Sequence, residues 1–240
     1  MSRVPEQLSA EEAVAHVGSG MSVAFPHLSA EPTALTAALW ERAADLSDLT
    51  VYSGMLLSGY RFLGMEAAKN IRFRTWFMPG TLLRKTAADV KADYLPLTWA
   101  QTARFLYETA FDVAMIQISP ADCEGYHSLG LNCTVCRALL DSGKLVIGQV
   151  NDNVPRTLGD SRVHGSAFDI LVNATEPLIE YPARPTDEVD HAIGELIADL
   201  VPDGSTLSFG VGGIPGAAAE ALIAKGSRGL KFINTFTDPV

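Results

Sequence analysis

Phe209-Gly210-Val211-Gly212-Gly213-Ile214-Pro215-Gly216-Ala217 joins a short apolar strand, Thr206 to Phe209, to an alanine-rich helix, Ala217 to Lys225. Strand, glycine turn and helix in that order make the building block of a parallel α/β sheet. The turn aims bare backbone N–H groups at whatever lies above the helix start, which suits an anion, a phosphate or a developing oxyanion. As a Walker loop it lacks the Gly-Lys-Ser/Thr ending. As a dinucleotide fingerprint it matches G-x-G-x-x-G at Gly210 and Gly212, meets Pro215 at the third position, and has only Asp238, loosely spaced, as a ribose acid. As a backbone oxyanion or acyl-thioester site it uses Gly212 and Gly213 for close approach, with Pro215 starting the helix without sacrificing a needed donor. A tight connection with no ligand is the plain alternative.

Outward from this turn the chain shows a weak internal repeat. Helix, Gly20-Met21-Ser22-Val23-Ala24-Phe25, turn, Pro32 and helix recur as helix, Gly204-Ser205-Thr206-Leu207-Ser208-Phe209, turn, Pro215 and helix. Between the copies, Glu176-Pro177 to Pro185-Thr186, with Pro182, reads as a linker, and Thr186 is placed to cap a helix from Asp187 to Leu200. The organisation expected is residues 1–180 as a first domain and 181–240 as linker and beginning of a similar, incomplete one, its remainder lying further along or on another polypeptide. The alternative is that the short segment adds to one domain's sheet. Ser9-Ala10-Glu11-Glu12 is a capping box. Strands are expected at Met21 to Phe25, Leu49 to Tyr52, Ile71 to Phe77, Val113 to Ile118, Lys144 to Val150 and Phe168 to Val172. Helices are expected at Thr33 to Asp45, Arg84 to Lys91, Thr98 to Glu108 and Cys133 to Leu140. The alternation implies an α/β fold with an open, largely parallel sheet flanked by helices.

The 240 residues carry a formal charge of -10 and a pI near 4.9, which argues against non-specific nucleic-acid binding. Met1 to Val14 holds Glu6, Glu11 and Glu12 and no continuous apolar run, so neither a signal peptide nor a membrane span is expected there, and the expected location is cytoplasmic. Cys123, Cys133 and Cys136 are too few for a disulfide framework. Cys133-Thr134-Val135-Cys136 has C-x-x-C spacing, but zinc needs four ligands and no second pair exists, so two small buried residues on a helix are expected, with no metal.

Asp112-Val113-Ala114-Met115-Ile116-Gln117-Ile118-Ser119-Pro120 followed by Gly125-Tyr126-His127-Ser128-Leu129-Gly130 resembles a D-V-A-L-I-Q-V-S-P...G-Y-x-S-L-G segment of the acetyl-CoA hydrolase/transferase family. Lys144-Leu145-Val146-Ile147, Val150-Asn151, Asn153, Pro155-Arg156-Thr157-Leu158-Gly159-Asp160-Ser161 and His164 resemble its K-L-V-I...V-N-x-N-x-P-R-T-x-G-D-S-x-x-H block. Ala92-Asp93-Tyr94-Leu95-Pro96, Glu31-Pro32 with Ala34-Leu35, and the glycine turn as G-x-G-x-I-P also fit.

The resemblance implies a CoA-transferase-like fold of two similar domains and an enzyme that moves CoA between carboxylic acids, or hydrolyses acyl-CoA, through a glutamyl anhydride and a glutamyl-CoA thioester. It implies no tightly bound cofactor, coenzyme A or acyl-CoA and a small carboxylic acid as substrates, and an oligomer without nucleic-acid or membrane partners. Gly212 and Gly213 would then be oxyanion-hole donors, and Gly210, Ile214, Pro215, Asn153, Arg156, Thr157 and Ser128 would meet CoA or substrate. For Asn153, Arg156 and Thr157 the competing reading is a brace around Pro155. The family's nucleophilic glutamate falls beyond the position matching Val240, and none of Glu31, Glu66, Glu108, Glu124, Glu176 or Glu220 stands in its motif, so a second-domain polypeptide or subunit would supply it. Phe232 to Pro239 departs from the histidine and glutamate that many members carry there, and Gly216 replaces a commonly acidic residue. Arg84 and Lys85 are read as a solvated helix start rather than a CoA phosphate site, and His27 as a structural histidine or a residue facing the cleft. A non-catalytic acyl-CoA-binding scaffold, or a dinucleotide-binding protein, is the alternative function.

Overall fold

Every strand of the main sheet runs in the same direction, an arrangement that requires crossover connections rather than tight hairpins. The computed structural model describes residues 4–65, 69–80, 82, 91–181 and 185–233. They fall into two compact units, Met1–Glu180 and Tyr181–Val240.

The first unit contains β1 (Glu6–Gln7), β2 (Ser22–Ala24), β3 (Leu49–Ser53), β4 (Ile71–Thr75), β5 (Lys91–Tyr94), β6 (Phe111–Ile118), β8 (Gly143–Val150) and β10 (Ile170–Asn173). These make one eight-stranded parallel sheet in the order β1-β10-β8-β6-β2-β3-β4-β5. Between β6 and β10, β7 (Tyr126–Ser128) and β9 (Arg162–His164) form a separate antiparallel ribbon. Helices α1 (Ala10–Val14) and α2 (Thr33–Arg42) share one apolar cluster with Val23, Val51, Phe73 and Met115. On the other face α3 (Trp99–Glu108) and α4 (Cys133–Ser142) pack on Ala24, Ala114, Ile116 and Ile118. Successive β6 residues therefore serve opposite faces, and a strand buried on both reads as a continuous apolar run.

Strand β2 is the switch point. The chain leaves it through α2 toward β3 on one side, whereas β6, its neighbour on the other, leads through α4 toward β8. In open α/β sheets ligands gather outside the carboxyl ends of the strands at such a point. Here that places the β2–α2 turn opposite the segment after β6.

The internal repeat is built in three dimensions. In the first unit Gly20 (φ 77°) donates its N–H to the Ser47 carbonyl and Thr50 donates to Met21. In the second, Gly204 (φ 77°) donates to Arg228 and Lys231 donates to Ser205. Each pair closes a parallel β-α-β unit, the second made of β11 (Thr206–Leu207), α6 (Gly213–Lys225) and β12 (Lys231–Phe232), with α5 (Glu188–Leu200) packed on α6.

The all-parallel sheet flanked by helices bears out the α/β expectation, with several local corrections. Asp187 rather than Thr186 caps α5, because its carboxylate accepts from the Val189 and Asp190 N–H groups. Helix α6 starts at Gly213, so Pro215 lies within its first turn, where a missing N–H costs nothing. The preceding strand ends at Leu207, and α2 ends at Arg42, continuing through a 3-10 turn at Ala43–Asp45. Lys91 opens β5 instead of closing a helix. The rest of the expected Arg84–Lys91 helix, Glu66, Pro182, and Asp238 with the other residues from 234 to 240 lie outside the described residues.

Gly194 sets how closely α5 and α6 approach: a Cβ there would lie 2.6 Å from the Ala217 carbonyl carbon and 2.8 Å from the Ala218 nitrogen. Gly194→Ala is expected to destabilise this unit by about 1–3 kcal/mol through overpacking, against a helix-propensity gain of about 1 kcal/mol. Amide exchange across 188–225 reads the result, and slower exchange in the variant would contradict it.

Candidate active site

The β2–α2 turn is held by polar side chains that emerge from otherwise apolar strands. Gln149 is fully buried on β8, and its Oε1 accepts from the Ala34 and Leu35 N–H groups at 3.1 and 3.3 Å, capping α2 from across the sheet. Helix α2 needs this because its own N-cap is Pro32, which offers no side-chain acceptor. Gln117 on β6 donates to the Ser29 carbonyl and accepts from Asn151, which also donates to the Glu176 carbonyl at 2.9 Å. Buried amides of this kind persist only when partnered. Together they tie β6, β8, the turn and the segment after β10 into one rim.

Glu31, 1 % exposed, closes the turn: both carboxylate oxygens accept from Ser58 Oγ at 2.8 Å, and one accepts from Thr36 Oγ1 at 3.0 Å. Burial pushes its pKa up, opposed by these hydrogen bonds and by the charge of Arg61. Leu28 sits at φ 57°, an unusual conformation for a bulky residue, with its N–H bound to the Met55 carbonyl. His27 is edge-on to both Trp76 and Trp99, with ring centroids 5.7 and 5.4 Å away. Its Nδ1 and the Trp76 Nε1 are buried without a hydrogen-bond partner among the described residues.

Burial lowers the His27 pKa to about 4. Between that value and the ordinary one near 6.5 the unfolded chain binds the proton and the folded chain does not, so stability falls as pH drops through this window. Urea denaturation from about pH 7 to about pH 4 is expected to show a slope that His27→Gln reduces. An unchanged slope in the variant would assign the acid sensitivity to other groups.

Ser128, Asn153, Arg156 and Thr157 come together around the loops after β7 and β8, and the structure shows what each holds. Ser128 Oγ accepts from the Gly130 and Thr157 N–H groups, both at 3.1 Å, and lies 3.0 Å from Thr157 Oγ1. Arg156 donates to the Pro120 and Tyr126 carbonyls at 2.7 and 3.2 Å and faces Asp122. Asn153 donates to the Glu176 carbonyl. The Ser128, Thr157 and Arg156 bonds brace the two loops, whereas Asn153 ties the second loop to the segment after β10; the loop tip at Leu158 is 93 % exposed. In the ribbon below, Arg162 stacks on the Tyr126 ring at 3.8 Å and pairs with Glu124.

In the second unit the glycine turn carries an uncapped helix start. Helices α1, α3, α4 and α5 are capped by Ser9, Thr98, Asn132 and Asp187, and α2 by Gln149. Helix α6, with Gly212 at its N-cap, has no side-chain acceptor among the described residues. Gly212 adopts φ 146° and ψ 176°, a conformation open to glycine alone. Gly210 lacks a left-handed φ, and a Cβ at that position would meet no atom of the described residues within 4 Å, so neither its backbone nor its described surroundings demand a glycine there.

Cys136 is buried on α4 and its thiol pKa is pushed up by burial, while Cys133 Sγ donates to the Asp160 carbonyl. Among the described residues no three His, Cys, Asp or Glu side chains cluster to hold a metal, and no helix is long and apolar enough to cross a membrane.

The family model for the acetyl-CoA hydrolase/transferase N-terminal domain matches residues 5–181. The chain belongs to the acetyl-CoA hydrolase/transferase family. It is 33% identical over 225 residues to the 4-hydroxybutyrate coenzyme A transferase of Clostridium kluyveri, covering 93% of this chain and 52% of that protein. It is 28% identical over 242 residues to the butyryl-CoA:acetate CoA-transferase of Anaerostipes caccae, covering 96% and 54%. Among solved structures, RipA from Yersinia pestis superposes with a TM-score of 0.86 at 31% identity over 95% of this chain and 56% of that one. The 4-hydroxybutyrate CoA-transferase of Porphyromonas gingivalis superposes with a TM-score of 0.76 at 26% identity, over 97% and 55%. This acetyl-CoA hydrolase/transferase family chain spans about half the length of the curated relatives it matches.

Gln117 is legible in the sequence only as a letter of a motif, and Gln149 falls in the gap between two motif segments. The signal that could single them out is a glutamine inside an apolar strand, which requires a buried partner.

Proposed function

We propose that the protein takes part in CoA transfer between carboxylic acids or in acyl-CoA hydrolysis, with acyl-CoA and a small carboxylic acid as substrates. The observation that carries this reading is the uncapped N-terminus of α6 behind the Gly212 turn in a chain of this family. The Gly212 and Gly213 main chain would donate to the tetrahedral oxyanion, a contribution of about 3 kcal/mol per donor. Gly210, Ile214 and Pro215 would shape the approach to it. Ser128, Asn153, Arg156 and Thr157 act by bracing the loops that border the crevice of the first unit. A glutamate outside residues 1–240, on a continuing segment or a second subunit, would attack the thioester; the mixed anhydride preserves its group-transfer potential. Water exclusion then separates transfer from hydrolysis.

The test uses the protein in the longest form its source makes, together with any chain that co-purifies, incubated with butyryl-CoA and labelled acetate. Label appearing in acetyl-CoA, with a CoA adduct on a glutamate in the mass spectrum, is the expected result. Free CoA without exchange would select hydrolysis, and binding with neither product would leave a non-catalytic acyl-CoA-binding role.

A further inference from the structure

A polar groove runs along β3 and β4 from the loops that precede them. All-parallel sheets occur almost only with both faces covered. On one face of β4, Ile71 and Phe73 are fully buried, but on the other the side chains of Arg72 and Arg74 keep 52% and 36% of their area exposed. Register places Thr50 beside Arg72 and Tyr52 beside Arg74. With Lys69 and Asn70 these residues line a groove of about 390 Å3 whose lip also carries Asp48.

The groove is ordered before any ligand arrives. Arg74 lies over the Tyr52 ring at 5.6 Å and donates to its hydroxyl at 3.0 Å. One carboxylate oxygen of Asp93 accepts from Arg74 Nε at 3.2 Å and from Arg72 Nη1 at 3.4 Å. One oxygen thus holds two guanidinium groups side by side, while their remaining N–H groups, the Asn70 amide N–H not given to the Ala43 carbonyl, and the Thr50 hydroxyl are donors suited to tetrahedral oxygens. Arg72 and Arg74 share the single carboxylate of Asp93, in a chain whose net charge is -10. We propose that this groove binds a phosphate group, free or as a phosphate monoester, with Arg72 and Arg74 as its charged donors. Charges beside the edge strand β5 that merely discourage sheet-to-sheet association are the competing account.

Asp93 separates the two accounts, because its carboxylate competes with the ligand for the same guanidinium groups. The intact chain is titrated with inorganic phosphate and with adenosine 5′-monophosphate, following arginine Nε–Hε and the Thr50 and Asn70 amide signals by NMR. Saturable shifts confined to these groups are expected, and the tighter of the two probes identifies the source of the phosphate. Asp93→Asn is expected to tighten binding several-fold, and Arg72→Gln with Arg74→Gln to weaken it about tenfold or more. Non-saturable shifts, or an Asp93→Asn variant that binds no more tightly, would overturn the site. No step of this test depends on CoA chemistry, so it stands or falls separately from the proposed function.

Discussion

Gln149→Leu is expected to lower the stability of the first unit by about 2–4 kcal/mol, more than a glutamine inside a strand would suggest. Two losses combine. The α2 N-terminus loses the acceptor shared by the Ala34 and Leu35 N–H groups, worth about 1 kcal/mol as a cap. Those N–H groups are then left in a dry interior, at about 1–3 kcal/mol for an unsatisfied buried donor. Leucine fills similar volume, so a cavity is not the cause. Urea denaturation gives the magnitude, and amide exchange at Ala34 and Leu35 gives the location. A loss below about 0.5 kcal/mol, the range of an uninvolved surface position, would show that water replaces the glutamine. The same variant should loosen the β2–α2 turn, since Gln149 and Gln117 anchor it from adjacent strands.

The second large effect concerns the glycine turn. Gly212→Ala is expected to cut turnover in CoA exchange by about 100-fold to 1,000-fold if the turn presents oxyanion donors. Alanine cannot hold φ 146° without about 1–3 kcal/mol of strain, so the α6 N-terminus would rotate away from its present direction. Gly210→Ala supplies the contrast. Its backbone tolerates a side chain and no atom of the described residues crowds it, so the fold should be unaffected. Turnover lost in both variants, with stability lost only in the first, would place substrate over Gly210. Full activity in Gly212→Ala would remove the turn from the chemistry.

Legibility differs by element for physical reasons. The capping box at Ser9 and the apolar runs of β6 and β8 are local signals, and the structure repeats them closely, whereas Thr98, read as the first helical residue, proves to be the N-cap of α3. The two-residue strands β1 and β12 carry too few residues for any periodicity, and pairing alone defines them. Lys91–Tyr94 reads poorly as a strand because an edge position tolerates its charge. The brace around Ser128 is readable as a set of hydroxyls and an arginine near Pro155. What each side chain bonds depends on loops from two strand ends meeting.

By itself the sequence determined the α/β class, the repeated strand, turn and helix at Gly20 and Gly204, and the family, since these rest on local patterning and ordered motifs. Tertiary structure alone decided the strand order, the capping of α2 by Gln149, and the isolation of His27 between two tryptophans. Those features arise from residues far apart in the chain, paired only after burial removes water as a competing partner.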